Sequence, residues 1–505
     1  MEIGTVISTE EGPSTEKFSF VLSSPSVRRG QFVQLTGEEG LLIGVIKDIF
    51  RANRYFERAE SISEYEKNKG SFLDNFPVDE WEYVVAECSV LGAFDSGTMK
   101  RSSFPPSPGE KVHEIELEKL KDFLGFKENG LNLGKLLQHE LEAKIELSRL
   151  CQKHLALVGM SGCGKSYASA VLIEELLDRK KEMGRVGIVV FDSHGDYIGF
   201  ADKHSPYADR TEVIDGRRIR IATHKMSAQM FHELMPEISA TQGRELAKII
   251  EGMKEGVKKG EKAYDLDELV KEVEKAELKE NIKGPLVSWL GHLKSLNLFS
   301  TTDYPSAKEL VKPGKLSIFD LSDLTSLQKK QMILAYFAKK LFNLRRKESI
   351  PPFLMLVEEA HNFAREKAPK GGAISKGIIE TIAREGRKFG ASLCLVSQRP
   401  VQLSTTALSQ CNTFLIMRVT NPFDLKHIGE SCEAIDSPSL DQITSLKVGE
   451  GILIGEAINY PTFLKIRRRK SLKAGKGDPL EEMAKKFEAM NEGKELSDGD
   501  IDAFI

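Results

Sequence analysis

Residues 1 to about 110 alternate short apolar runs with turn signals. The runs FSFVLSS (18–24), GQFVQL (30–35), LLIGVIKDIF (41–50) and EYVVAECSVLGAF (82–94) are rich in β-branched and aromatic residues. Gly37 to Gly40 breaks the second from the third. This series predicts a small β-barrel. Pro105, Pro106, Pro108 and Gly109 end it. A charged helical segment (114–126) and a connector with helical spacing (136–150) come next.

From Lys153 the period changes. HLALVG is a buried strand, followed by a glycine-rich turn, a helix over 167–181, Gly184 and a second buried strand (VGIVVF). That succession is a βαβ unit, which implies a parallel sheet. Asp215-Gly216, between VI and RRIRIA, reads as a tight hairpin turn. Residues 225–298 have helical periodicity and almost no strand signal, so they predict an all-helical insertion. It is either a local decoration or a surface for a neighbour. Strand signals resume at KLSIFDL (315–321), FLMLVE (353–358), SLCLVSQ (392–398) and TFLIMRV (413–419), and a late strand pair holds ILIGEAI and TFLKIRR. The last 30 or so residues are polar and helical, suited to bracing another subunit. No internal repeat is evident.

The predicted organisation is a barrel over 1–112, a helical connector over 113–152, and an α/β core over 153–224 and 299–470. A helical bundle is inserted at 225–298, and a helical tail spans 471–505.

Composition changes this picture little. The 505 residues are 40% hydrophobic and 29% charged, as in a water-soluble globular protein of two or three domains. No apolar stretch approaches the roughly 20 residues that span a bilayer, and the N-terminus lacks a signal-peptide pattern. The six cysteines (Cys88, Cys151, Cys163, Cys394, Cys411, Cys432) form no CxxC pair. Zinc and disulfide frameworks are therefore not expected, and a cytoplasmic location is. A net charge of −3 argues against a DNA-coating protein, but not against a ring with positive charge concentrated in a channel.

The strongest chemical signal is Gly159-Met160-Ser161-Gly162-Cys163-Gly164-Lys165-Ser166, a full match to G-x-x-x-x-G-K-[ST] between strand and helix. Its glycines let backbone N–H groups face phosphate oxygens, and the helix start adds its positive end. Lys165 neutralises the β and γ phosphates, and the Ser166 hydroxyl ligates Mg²⁺. The expected cofactors are ATP and Mg²⁺, with Tyr167 closing the nucleotide-binding set. A catalytic acid should end a buried strand near the metal, and Glu358-Glu359 does so. Glu358 is assigned to the metal and Glu359 to the base that polarises the attacking water. Gln398 ends the next strand, where a γ-phosphate sensor would sit. Arg384 and Arg387, three apart in GIIETIAREGRKFG, project from one helical face with Lys388 nearby. They are either a solvated basic face or cations acting on an adjacent subunit's nucleotide. Lys153 is a further candidate cation for nucleotide. The Asp192-Ser-His194-Gly195-Asp196-Tyr197 loop follows the second strand; a metal role for His194 and Asp196 lacks a third ligand. The basic, glycine-rich loop with Lys367, Lys370 and Lys376 is a candidate for tracking DNA phosphates. The run from Arg467 to Lys470 is equally basic, and neither it nor the loop is distinguished by sequence from exposed surface.

In order, KHLALVGMSGCGKS, FDSHGDY, LMLVEEAHNF, IAREGRKFG and LVSQRP resemble the HerA branch of the HerA/FtsK translocase ATPases, archaeal in type. GQFVQL and PPSPGEKV resemble that family's N-terminal barrel, so the likeness spans nearly the whole chain. It implies a RecA-like P-loop ATPase core working as a homo-hexameric ring that moves double-stranded DNA with ATP and Mg²⁺. It implies a partnership with the nuclease NurA in DNA end resection and recombination repair. On matching positions it makes Lys165 and Ser166 the nucleotide clamp, Glu359 the catalytic carboxylate and Arg384 a finger acting in trans. Two positions depart from the family: Cys163 replaces a small Ser, which exposes the site to thiol reagents, and Lys153 replaces an Arg. A HerA-like ATPase in an antiviral complex and a nucleotide-dependent scaffold that does not move DNA are the competing readings. A conjugative or secretion ATPase is disfavoured by the lack of membrane segments.

Overall fold

The computed structural model describes residues 1–8, 12–53, 63, 67, 82–95, 98–235, 238–368, 372–432, 435–473 and 480–491. The chain folds as two compact units, Met1–Gly164 with Cys411–Arg468, and Lys165–Gln410 with Arg469–Ile505.

In the first unit an antiparallel sheet runs in the order Lys17–Leu22, Glu2–Ile7, Lys111–Glu114, Phe32–Gly37, Gly40–Asn53, Glu82–Asp95, Thr98–Lys100. Pairing of Lys17–Leu22 with Glu82–Asp95 closes it into the expected barrel. Alternation sends Ile3, Phe18, Phe20, Val33, Leu35, Ile46 and Ala86 into one core. The break at Gly37–Gly40 is a hairpin turn.

The same unit holds the parallel pair Leu155–Val158 and Thr413–Met417, extended antiparallel by Glu450–Gly455, Thr462–Ile466, Leu131–Leu136 and Glu142–Ile145. The last two strands correct the helical reading of 136–150. Only Leu147–Cys151 is helical there. The apolar residues fit helical spacing, but Leu131, Leu133, Ala143 and Ile145 are buried by a hairpin. Over so short a stretch the two periods are ambiguous, and pairing with Thr462–Ile466 decides between them.

The second unit is built on a wholly parallel sheet ordered Thr211–Asp215, Leu316–Asp320, Gly187–Asp192, Phe353–Val357, Ala391–Ser397. Its three central strands are buried at every residue but Asp320, which is why they read as continuous apolar runs. Asp215-Gly216 is not a hairpin. Asp215 Oδ1 accepts the Arg217 N–H at 2.9 Å and caps a 3₁₀ turn, and Thr211–Asp215 pairs in parallel with Leu316–Asp320. A sheet pairing set far along the chain overrides the local turn signal.

The insertion comprises helices Ala228–Leu234, Ala240–Lys258, Leu266–Lys275 and Glu280–Ser295. Ser239 with Gln242 and Asp265 with Glu268 form reciprocal capping boxes that start two of them. Leu246, Ile250, Leu269, Val273, Leu286, Leu290 and Leu293 supply their buried face.

Asp303 ties the start of this region to helix Leu327–Arg346. Its carboxylate accepts the Ala222 N–H (2.9 Å) and the Tyr336 hydroxyl (2.7 Å), and pairs with Lys225 (3.1 Å) and Lys340. Burial alone would raise its pKa, but the Lys340 contact, Tyr336 and Ala222 outweigh it and hold the group down to about 2. The folded state therefore gains stability from the ionised form. That gain is full above the unfolded value near 4 and is lost as pH falls towards 2. Asp303→Asn should lower stability by about 2–4 kcal/mol at neutral pH, since two ammonium groups lose their partner. A thermal melt unchanged by the substitution would show that this anchor does not bear on stability.

Helix Lys165–Asp178 is held by the chain that follows the last strand. Buried Glu174 accepts the Lys470 and Ser471 N–H groups at 2.8 and 2.7 Å and the Ser471 hydroxyl at 2.7 Å. The Arg469 guanidinium lies over the Phe200 ring, and the Arg469 N–H meets the Tyr167 hydroxyl at 2.6 Å. Arg469 and Lys470 are thus parts of a strap. Arg467 is likewise occupied, with Nε on the Asn132 carbonyl at 3.1 Å. Tail helix Leu480–Asn491 exposes Leu480, Met483 and Phe487.

Candidate nucleotide site

The loop Gly159–Gly164 leaves strand Leu155–Val158 and is shaped by its glycines. Gly162 and Gly164 have φ of 75° and 108°, a region closed to most side chains. A Cβ on Gly159 would stand 2.7 Å from Cys163 Sγ and 3.0 Å from Met417 Cβ. The Met160 N–H donates to the Arg418 carbonyl (2.8 Å), and the Gly449 N–H donates to the Cys163 carbonyl (3.0 Å). The loop is therefore held on both sides by backbone. Ser161 and Gly162 face solvent, as phosphate access requires. Cys163 is fully buried, so the expected sensitivity to thiol reagents is corrected: the sulfur fills the loop's interior.

Lys165 opens the helix and is buried. Ser166 and Tyr167 are half-buried behind it. Ser169 Oγ meets the Tyr197 hydroxyl at 2.7 Å, which fixes the first turn against the FDSHGDY loop.

Register explains how the acids meet. Gly187–Asp192 lies beside Phe353–Val357 with Phe191 opposite Val357, so Asp192 and Glu358 emerge together. Asp192 accepts four backbone N–H groups, from His194, Gly195, Asp196 and Tyr197, at 2.7–3.2 Å. FDSHGDY is thereby a scaffold folded around Asp192. Among the described residues no group of three or more His, Cys, Asp or Glu side chains is placed to hold a metal ion.

Glu358 is 2% exposed and accepts the Ser193 and His194 N–H groups at 3.0 and 3.3 Å. Burial, then the Asp192 carboxylate and Asp196, push its pKa well up. Two buried carboxyls in contact are unfavourable when both are ionised. A cation relieves that conflict as a proton does, so the donor set fits Mg²⁺. Glu358 and the Ser166 hydroxyl would hold it together with nucleotide oxygens, and the ion would supply charge neutralisation on the phosphates. Lys330, which the sequence did not single out, donates to the Ser193 carbonyl at 3.3 Å. Burial lowers its pKa, with Asp192, Asp320 and Glu358 opposing.

Glu359 differs from its neighbour. It sits at φ 49°, ψ 46°, a left-handed conformation costly for a residue with a side chain. Its Oε2 is buried with no hydrogen-bond donor. His361 Nδ1 is 3.2 Å from that oxygen, but it is also 3.1 Å from Ser397 Oγ. Burial, with Arg399 and Lys165, lowers His361 to about 4, so the ring is neutral. An acceptor without a donor, at the end of a strand, suits a base that takes a proton from water. Burial raises the Glu359 pKa, offset by the Lys165 ammonium, His194 and the Gln398 backbone N–H. Gln398 thus reaches the site through its main chain.

A base acts deprotonated, so turnover should fall as pH drops through this raised value. The acid limb should lie above the ordinary glutamate range near 4.3. His194→Ala removes one charge that holds Glu359 down and should move the limb further up. An acid limb that stays put in that variant counts against Glu359 as the titrating group.

Other candidates are placed apart. Arg384 and Arg387 are exposed on helix Lys376–Phe389, with Arg384 3.9 Å from Glu380; Lys388 is exposed too. Lys153 precedes the N-terminal end of its strand, and the phosphate loop follows the other end. Its ammonium pairs with Glu456, so it does not reach the loop of its own chain. Lys367 is exposed. Lys376 is engaged by Glu366 at 3.1 Å and Glu380 at 3.7 Å. Lys370 lies outside the described residues.

Residues 131–341 match the family described as helicase HerA, central domain. The chain is HerA-like. It is 27% identical over 519 residues to the DNA double-strand break repair helicase HerA of Pyrococcus furiosus, covering 90% of each chain. The HerA helicases of Sulfurisphaera tokodaii (25% identical; 97% of this chain, 98% of that one) and Saccharolobus solfataricus (26%; 92% of each) are similar over as much of their length. VirB4 of Thermoanaerobacter pseudethanolicus shares the fold, with TM-score 0.53 and 14% identity over 68% of this chain and 97% of its own. HerA likeness thus extends beyond the phosphate loop to the barrel and the late strands, and the P-loop α/β fold accords with it.

Proposed function

We propose that this HerA-like chain hydrolyses ATP with Mg²⁺ and uses the energy to move double-stranded DNA. The observation that carries the catalytic half is Glu359, a strained carboxylate with an unpartnered buried oxygen next to Lys165. Lys165 neutralises the phosphates, Ser166 and Glu358 hold the ion, and Glu359 takes the proton of the attacking water. Gln398 links that site to the end of its strand.

The exposed face with Arg384 and Arg387 supports a ring in which one subunit's arginine, Arg384 first, reaches its neighbour's nucleotide. The uncovered Leu480, Met483 and Phe487 of the tail helix fit the same assembly. We take the ring to be a homo-hexamer that feeds DNA to a NurA-type nuclease in end resection and recombination repair, in keeping with the repair helicases it is similar to. Lys367, Lys370 and Lys376 are the lysines we assign to tracking DNA phosphates, Lys376 by exchanging its pairing with Glu366 and Glu380. No helix among the described residues is long and apolar enough to cross a membrane, and we place the motor in the cytoplasm.

The test is ATP hydrolysis with and without linear duplex DNA over a range of salt. Stimulation of at least several-fold is expected, declining as salt screens the phosphates. Turnover indifferent to DNA at every salt would sink the motor reading and favour a nucleotide-dependent scaffold.

A further inference from the structure

The chain that follows Glu359 leaves as a loop and returns through helix Lys376–Phe389. The Asn362 N–H donates to the Glu359 carbonyl at 2.8 Å, so Glu359 and Asn362 share one short turn. The loop beyond carries Lys367. Its outward limb is pinned at Glu366. The Glu366 N–H donates to the Gln402 carbonyl at 2.9 Å, and the Glu366 carboxylate accepts the Thr405 N–H and pairs with Lys376, both at 3.1 Å. Ser375 Oγ donates to the Phe363 carbonyl at 2.6 Å and closes the base of the loop.

Gln331 joins the two limbs from a different element. It lies near the start of helix Leu327–Arg346 and is 2% exposed. Its amide nitrogen donates to the Asn362 carbonyl at 2.7 Å and to the Gly372 carbonyl at 3.1 Å, and its oxygen accepts the Ile374 N–H at 3.1 Å. An apolar side chain would fill this space without the cost of burying a carboxamide. What the bonded amide adds is one fixed arrangement of the segments it joins. Its neighbour Lys330 donates to the Ser193 carbonyl at 3.3 Å, and the Ser193 N–H rests on Glu358 at 3.0 Å. Two consecutive residues of one helix therefore hold the chain beside Glu358 and the chain after Glu359.

We propose that Gln331 is a positioning residue that couples DNA contact on the loop carrying Lys367 to hydrolysis at Glu359. The inference rests on the reading of this chain as a DNA motor with Glu359 as its base. A DNA phosphate that loads Lys367 shifts the returning limb at Gly372 and Ile374. The Gln331 amide passes that shift to Asn362, and so to the turn that orients Glu359. Gln331 is buried and touches no DNA itself, so its bonds bear on stimulation and not on affinity.

The experiment is steady-state ATP hydrolysis by the full-length protein titrated with linear duplex DNA, beside duplex affinity by fluorescence anisotropy. Gln331→Met keeps a long, helix-favouring side chain and removes all three bonds. It is expected to bring the ratio of DNA-saturated to DNA-free turnover within twofold of one, with duplex affinity within threefold of the parent. Gln331→Glu keeps an acceptor for the Ile374 N–H but sets an oxygen against the two carbonyls, and should lose the ratio likewise. Lys367→Ala should do the opposite, weakening duplex affinity but reaching the parent's ratio at saturating DNA. A ratio in Gln331→Met that stays at the parent's value, whether or not both rates fall together with a lower thermal midpoint, makes Gln331 a packing residue and overturns the proposal. So does a ratio restored by more DNA, since Gln331 would then only shape the contact. A parent indifferent to DNA removes the motor reading and the coupling together, whereas a stimulated parent with an equally stimulated Gln331→Met removes the coupling alone.

Discussion

Lys165→Ala should reduce ATP turnover by at least about 100-fold, the scale on which one well-placed charge acts on a transition state. The residue is buried at the first turn of its helix, behind a loop whose backbone is already curled. Substitution leaves the loop intact, because Gly162, Gly164 and the bonds to Arg418 and Gly449 set its shape. Alanine is also a strong helix former, so the helix start is not weakened. What disappears is the cation on the β and γ phosphates. A second effect adds to this one. The Lys165 ammonium lowers the pKa of Glu359, so its loss raises the carboxyl further and leaves less of the base ionised. Steady-state hydrolysis beside a melt by circular dichroism checks both points. A variant that folds and retains more than a tenth of the activity would show that Lys165 is not the cation that neutralises the phosphates.

Glu359→Gln should separate binding from chemistry. The amide matches the carboxylate in shape and can occupy the same left-handed position, but it cannot take a proton. Turnover should fall by about 10²- to 10⁴-fold, the contribution of a positioned base, with nucleotide affinity within a few-fold of the original. Stability should hold or rise slightly, because a half-desolvated carboxylate lacking a donor on Oε2 gives way to a neutral group. Glu358→Gln makes the contrast. Its side-chain oxygen can still accept the Ser193 and His194 N–H groups, so the loop survives and the defect should be eased by raising Mg²⁺. Affinity and turnover measured at several Mg²⁺ concentrations decide the assignment. Rescue of Glu359→Gln by Mg²⁺, without rescue of Glu358→Gln, would reverse the two roles.

Much of this protein was legible in its sequence, for local reasons. The phosphate loop is a contiguous motif whose glycines and lysine act within eight residues, so residue order alone marks it. The central parallel strands are buried on both faces and therefore read as unbroken apolar runs. The insertion's helices carry both periodicity and capping residues. Glu358 and Glu359 were readable as acids at a strand end, because strand and motif adjoin.

Tertiary structure alone decided the rest, since it depended on residues far apart in the chain. The 131–145 segment became a hairpin because it pairs with strand Thr462–Ile466, more than 300 residues on. Asp192 and Glu358 became a coupled pair through strand register, not spacing. Arg469 and Lys470 look like any basic surface run until Glu174 is seen to bind the backbone beneath them. The different duties proposed for the two adjacent glutamates rest on what surrounds each oxygen. Glu358 meets two N–H groups and a second carboxyl, while Glu359 keeps one oxygen with no donor. A sequence specifies which groups exist and which periods they follow; burial and the partner each atom meets arise only when distant strands come into register.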